Sequence, residues 1–384
     1  MGSVRGAARR GLSGGGEVKV ALVHDWLTGL RGGERVLEQL CLLYPEADIF
    51  TLIYVPGSCG PIIERHRIRA SFLDRLPKRS YRHYLPLFPV AIESFDLSAY
   101  ELVISTSHAV AKGCRPGKHA VHVAYIHTPM RYVWDQFDAY FGEGRAGTLT
   151  RIAAAALAPL LRRWDVRSTA RAHGLVANSR FVAGRIRRYW GREVDAVVYP
   201  PVDSSRFVPA AEGPSPDDYA LIVSALVPYK RLELAVSAFS RVKRRLWIAG
   251  DGPERLRLER AAGPSVRFLG VVSQDDLPRL YAGARFFVLP GEEDFGIAPV
   301  ESQAAGRPVL ALGRGGALET VIDGETGVFF PQPTVESLLD GIAAIDGLQP
   351  DPMRIHEHAR RFDVARFGPE LRGAIEGCLT RVRR

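Results

Sequence analysis

From residue 219 onward the chain repeats one unit: a short apolar run, a turn, and a stretch patterned as a helix. Runs at 219–224, 246–249 and 266–269 alternate with helical patterns at 232–241, 254–261 and 275–282. Near-continuous apolar strands separated by helices cannot pair as hairpins, so they specify a parallel sheet covered on both faces, an α/β fold. The first half carries runs of the same kind at 19–23, 49–54, 101–108, 121–129 and 174–179. At 384 residues the chain is long for one core and comfortable for two domains. The string Pro200-Pro-Val-Asp203 and the polar, proline-bearing segment 212–218 mark the passage between them.

Between the apolar runs 285–290 and 307–312 lies Gly291-Glu-Glu-Asp-Phe-Gly-Ile-Ala-Pro-Val-Glu-Ser-Gln-Ala-Ala-Gly306. A strand, a loop and a helix in that order place the loop at the carboxyl edge of the sheet, where α/β folds bind ligands. Gly296 permits a tight turn, Pro299 suits a first helical turn, and the free N–H groups that follow suit an anion or a hydroxyl oxygen. Glu293 precedes the helix and Glu301 lies on it. One carboxylate can meet a ligand's reacting end while the other grips a more distant part, which suits a polyhydroxylated ligand that also carries phosphate.

The balance of charge is +9, with 46% hydrophobic and 24% charged residues, so the composition is globular and favours an anionic partner. Nucleic acid, a phosphorylated small molecule and an anionic membrane surface all fit that balance. Cys41, Cys59, Cys114 and Cys378 show no C-x-x-C spacing, which argues against a zinc site or a disulfide framework and fits a reducing cytoplasm. Residues 1–17 are rich in Gly and Arg without an apolar core, so they read as a disordered basic segment and not as a signal peptide or membrane span.

In the first half, the run 19–23 leads into His24-Asp-Trp-Leu-Thr-Gly-Leu-Arg-Gly-Gly-Glu34 and then a helix to about Leu43. Gly32 and Gly33 would let a phosphate approach the backbone at the helix start, or would merely make a tight turn. The loop is not G-x-G-x-x-G, and 49–54 ends without the acid of a dinucleotide site. Runs 101–108 and 121–129 each present a histidine at the end, His108 and His127, and Lys112 follows on a loop that could face the same cleft. Residues 151–164 are apolar with arginines and Trp164 at the end, too short and too charged to span a bilayer. That stretch reads equally as an interfacial helix on anionic headgroups or as a buried domain helix.

Glu293-x7-Glu301 with Phe295-Gly296 inside it, followed by Ala-Ala-Gly-Arg-Pro-Val-Leu, resembles the E-x7-E segment of retaining glycosyltransferases of family 4. Supporting strings follow the same order: Gly32-Gly-Glu34, Tyr125-Ile-His-Thr-Pro-Met-Arg131, Pro200-Pro-Val-Asp203, Ala249-Gly-Asp-Gly252, Phe268-Leu-Gly270, Arg314-Gly-Gly-Ala-Leu-Glu319 and Asp323-Gly-Glu-Thr-Gly327. The resemblance runs from about Lys19 to the end. It implies the GT-B fold: two Rossmann-like domains facing a central cleft, with a C-terminal helix crossing back to the first. On that reading 18–208 is the acceptor domain, 209–365 the donor domain and 366–384 the returning helix.

By the same resemblance, Glu293, His127 and Lys230 are the candidate catalytic residues. Gly32, Gly33, Arg231, Val272, Phe295, Gly296, Ile297 and Glu301 are the candidate donor-binding residues. Glu301 would hold the ribose, the backbone near Val272 the nucleobase, and Lys230 the diphosphate. The family's arginine shortly before that lysine is missing, since this chain has Ser224-Ala-Leu226, and Arg231 is the expected substitute. The implied activity is metal-independent, cofactor-free transfer with retention, from a nucleotide-diphosphate sugar to a hydroxyl of a glycan or polyprenyl-diphosphate-linked glycan. GDP-mannose is favoured because the strings at 24–34 and 127–131 look most like the mannosyltransferase-like branch of bacterial polysaccharide biosynthesis. A cytoplasmic protein docking on the inner face of an anionic plasma membrane follows, and no nucleic-acid module is discernible. The alternatives are a sugar-nucleotide-binding protein without turnover and a two-domain NAD-dependent dehydrogenase.

Overall fold

The computed structural model describes residues 18–142, 147–209 and 218–382. The basic segment 1–17 and most of the polar linker lie outside them. The first sheet is entirely parallel, in the order β3-β2-β1-β4-β5-β6-β7. Its strands are β1 (Val20–His24), β2 (Asp48–Thr51), β3 (Ile68–Ala70), β4 (Leu102–Ser107), β5 (Val121–Ile126), β6 (Gly174–Ala177) and β7 (Ala196–Val197). The second, also parallel, runs β10-β9-β8-β11-β12-β13. It comprises β8 (Ala220–Val223), β9 (Leu246–Ala249), β10 (Val266–Gly270), β11 (Phe286–Leu289), β12 (Val309–Leu312) and β13 (Gly327–Phe330).

Both sheets are buried on both faces, which is why β1, β4, β5, β11 and β12 are wholly buried and read as unbroken apolar runs. Strand order reverses between β1 and β4 in one sheet and between β8 and β11 in the other. A crevice opens beyond the carboxyl ends at each reversal, because successive connections leave on opposite faces. The architecture is the two-domain GT-B arrangement expected from the sequence.

The C-terminal helix Val364–Val382 starts before the expected 366 and buries Phe367, Leu371, Ile375 and Cys378 against Leu22, Val36 and Tyr125 of the first domain. The two chain crossings between the domains are bonded to each other. Val202 N donates to Phe362 O at 3.0 Å, and Val364 N to Val202 O at 2.9 Å.

The apolar stretch 151–164 is part of a longer helix, Thr148–Thr169. One face buries Ala158, Leu161, Asp165 and Ser168 in the domain. The other leaves Leu149 83%, Ile152 59% and Leu160 59% exposed, so the helix is half core and half apolar surface. No helix among the described residues is long and apolar enough to cross a membrane.

Candidate active site between the two domains

On the second domain, the loop after β11 carries Glu293 at 8% exposure. Its carbonyl accepts from Gly316 N at 2.8 Å, and a Cβ on Gly315 (φ +65°) would lie 2.4 Å from that same oxygen. The Gly315-Gly316 pair thus lets the β12–β13 connection press directly on the acidic loop. Gly296, at φ +89°, turns the chain into the helix Ile297–Ala304, whose first amides have no side-chain cap. The Phe295 ring is buried between Tyr199 and Phe362, at ring distances of 5.5 and 5.4 Å. Only its backbone is therefore open to a ligand.

Lys230 stands at the end of the turn Pro228–Lys230 after β8, and its ammonium contacts Glu293 Oε1. Burial, and then the neighbouring Arg131 guanidinium, pull Lys230 down to about 7. Glu301 lies one turn along the helix and accepts from Tyr281 OH at 2.8 Å. Burial raises its carboxyl above the usual range, against the pull of Tyr281, Arg206 and Arg35. Val272 packs partly buried at the edge of the same apolar cluster. Arg231 is turned aside: its Nε donates to Glu233 at 3.1 Å and its Nη2 to Pro333 O at 3.3 Å. Its backbone is αL (φ +54°), and the side chain expected on the diphosphate is engaged with these partners.

The facing wall comes from the first domain. Gly32 and Gly33 open the helix Gly32–Leu43. A Cβ on Gly32 would sit 3.0 Å from Ile297 Cδ1, so Gly32 lies where the domains meet, and one on Gly33 would sit 3.7 Å from His127 Nε2 within the first domain. His127 follows β5, and its Nε2 is buried without a partner. Burial, with His108, His24 and Arg131 nearby, holds His127 well below the usual histidine range and therefore neutral.

His108 lies 6.2 Å from His127, ring to ring. It is anchored by Asp25, whose two oxygens also accept the amides of His108, Ala109, Val110 and Ala111 at 2.7–2.9 Å. Lys112 does not face the cleft. It is buried on the far side, with Asp165 Oδ1 at 2.7 Å and Ser168 at 3.0 Å, because the turn after Val110 sends it under the helix Thr148–Thr169.

The domains are joined by charges that no local sequence pattern announces. Asp294, next to Glu293, contacts Arg131 through Oδ2 and Arg185 through Oδ1 at 2.6 Å, and its carbonyl accepts from Ser179 Oγ at 2.6 Å. Arg185 continues to Asp135 at 2.5 Å and Thr128 at 3.1 Å. Glu319 of the second domain accepts the Arg180 and Phe181 amides, both at 2.8 Å, at the start of the helix Arg180–Trp190. A carboxylate there satisfies free helix N–H groups and complements the dipole.

Two family models match adjoining parts of the chain: Glycosyltransferase Family 4 at 30–206 and Glycosyl transferases group 1 at 206–362. The chain belongs to glycosyltransferase family 4. Among curated relatives of this family 4 chain is a GDP-mannose-dependent alpha-(1-6)-phosphatidylinositol monomannoside mannosyltransferase of Mycolicibacterium smegmatis. It is 30% identical over 204 residues, covering 46% of this chain and 53% of that protein. A GDP-mannose-dependent alpha-mannosyltransferase of the same organism is 33% identical over 204 residues, covering 51% and 53%. The chain spans about half the length of these curated relatives. The fold matches a sucrose-phosphate synthase of Thermosynechococcus elongatus with a TM-score of 0.71 at 18% identity, over 95% of this chain and 100% of that one.

Family 4 membership was legible in the acidic motif, but the bridge was not. Arg185 had one available signal: it shares a helical face with Val182, Ile186 and Trp190, all buried, so an arginine at that spacing had to turn inward toward a counter-charge.

Proposed function

We propose that this family 4 protein moves a sugar from a nucleotide-diphosphate donor to an acceptor hydroxyl, with retention of configuration and without a metal ion. One observation carries the reading: Lys230, Glu293 and the uncapped amides of the helix Ile297–Ala304 stand at one sheet edge, and Gly32 of the other domain meets Ile297 there, with His127 beside the adjoining Gly33. A diphosphate taking Lys230 frees Glu293 for sugar hydroxyls, while the helix amides and His127 Nε2 meet the remaining hydroxyls. In the step itself the anomeric carbon–oxygen bond to the diphosphate breaks and the acceptor oxygen bonds on the same face. The acceptor proton passes to the departing phosphate oxygen. Lys230 stabilises the charge that develops there, and positioning supplies the remainder. Glu301 is assigned to the ribose.

GDP-mannose is the leading donor, because the two curated relatives above are named as depending on it. The acceptor is a glycan or a polyprenyl-diphosphate-linked glycan. The exposed apolar face of the helix Thr148–Thr169 would rest on the anionic leaflet that carries it. A panel of nucleotide sugars, scored by thermal stabilisation, by turnover with EDTA present and by the anomeric configuration of the product, tests the reading. Donor stabilisation without turnover on any acceptor would favour a binding protein. Stabilisation by NAD alone would favour a dehydrogenase. Activity lost to EDTA and restored by manganese would overturn the metal-independent step.

A further inference from the structure

We infer that Arg131, from the first domain, is the second cation of the diphosphate site, closing over the leaving group opposite Lys230. The inference rests on the donor site proposed above. Arg131 reaches across the cleft to Asp294, the neighbour of the Glu293 that holds Lys230. Its guanidinium lies 4.9 Å from the ring centre of Tyr229, the residue immediately before Lys230. The two cations therefore flank one spot from opposite domains. Arg231, on Lys230's own turn, is committed to Glu233 and Pro333 and stands 43% exposed.

Arg131 is also free to change partners. Its Nε is buried with no acceptor, so the planar fork of donors that suits a phosphate is only partly used. Asp294 meets Arg131 on one oxygen and Arg185 on the other, so Arg131 can turn onto an anion while Arg185 still neutralises Asp294. Every one of these contacts spans the cleft. The second charge on the diphosphate is thus delivered only when the domains are together, at the moment the leaving group takes its electron pair.

Titration calorimetry of the full chain with GDP and with GMP tests this, using UDP and UMP if the wild type does not bind GDP. Arg131→Ala should lose about ten- to a hundredfold in diphosphate affinity, the span of a hydrogen bond to a charged group, with monophosphate affinity changed less than about threefold. Arg131→Lys should recover part of the loss. Unchanged diphosphate affinity in Arg131→Ala, or equal losses for diphosphate and monophosphate, overturns the inference, since a merely structural arginine would not discriminate them. If Lys230→Ala loses diphosphate affinity and Arg131→Ala does not, this inference alone fails. If the wild type binds neither GDP nor UDP, the donor-site reading itself has failed.

Discussion

Lys230 of the turn after β8 and Glu293 of the loop after β11 touch across two neighbouring strand ends, although 63 positions separate them in the chain. Their contact means that a diphosphate entering the site replaces a carboxylate with a phosphate beside a resident ammonium. Lys230→Ala should therefore lower the transfer rate about a hundredfold or more, the usual loss for one preorganised charge-stabilising group. Steady-state kinetics with the preferred donor checks this, and a rate near that of the wild type would move the charge elsewhere.

The same lysine sets a pH dependence. Its ordinary value is 10.5 and burial with Arg131 beside it brings it to about 7 in the folded protein. The unfolded chain thus binds more protons between those limits, and the ligand-free protein gains stability from this group as pH rises through that window. Donor binding runs the opposite way, because the diphosphate needs the ammonium. Affinity should fall as pH rises above about 7, and Lys230→Arg should flatten the profile across that range; calorimetry at several pH values reads both.

Glu293 and Glu301 should separate in kinetics. Glu301, held by Tyr281 on the second turn of its helix, is assigned to the ribose, and its loss should weaken nucleotide binding in ground and transition states alike. Glu293→Ala should mainly lower turnover. Equal losses of donor affinity in the two variants would sink the assignment.

Asp294→Ala should leave Arg131 and Arg185 without their shared counter-charge. Removing one partner of a buried ion pair costs about 3 kcal/mol or more. A lowered thermal midpoint, with little further loss when Arg131→Ala is added, would show that the bridge acts as a unit.

Liposome flotation addresses the helix Thr148–Thr169. Leu149→Asp with Ile152→Asp should abolish salt-sensitive recovery with anionic vesicles while leaving thermal stability unchanged, because both side chains are exposed. Equal recovery with neutral and anionic vesicles would leave that face without a membrane role.

The parallel sheets were readable because burial on both faces makes strands such as 246–249 and 121–126 continuous apolar words. β3 was not, since Arg67 precedes and Arg69 interrupts an edge strand of three residues that is largely exposed. The acidic motif was readable because its chemistry is local: a strand, a turn at Gly296 and a helix fall within a few residues. The fates of Lys112 and Arg231 were not, because each depends on a partner chosen by the tertiary fold. Lys112 found Asp165, 53 positions away, and Arg231 found the Pro333 carbonyl, 102 positions away. Asp294 stood inside the motif, yet its partners Arg131 and Arg185 belong to the other domain, so nothing adjacent in sequence could have named them.

The paired crossings at Val202 and Phe362 constrain how the molecule can open. Two strands of backbone laced together at one point act as a pivot: they resist sliding of one domain past the other and permit rotation. The charged contacts at Asp294 and Glu319 join the domains beside that lacing without being part of it, and a rotation would strain them. Opening is then a swing about the 202–204 and 362–364 segments, and substrate exchange costs the Arg131, Arg185 and Glu319 contacts while the returning helix stays in place.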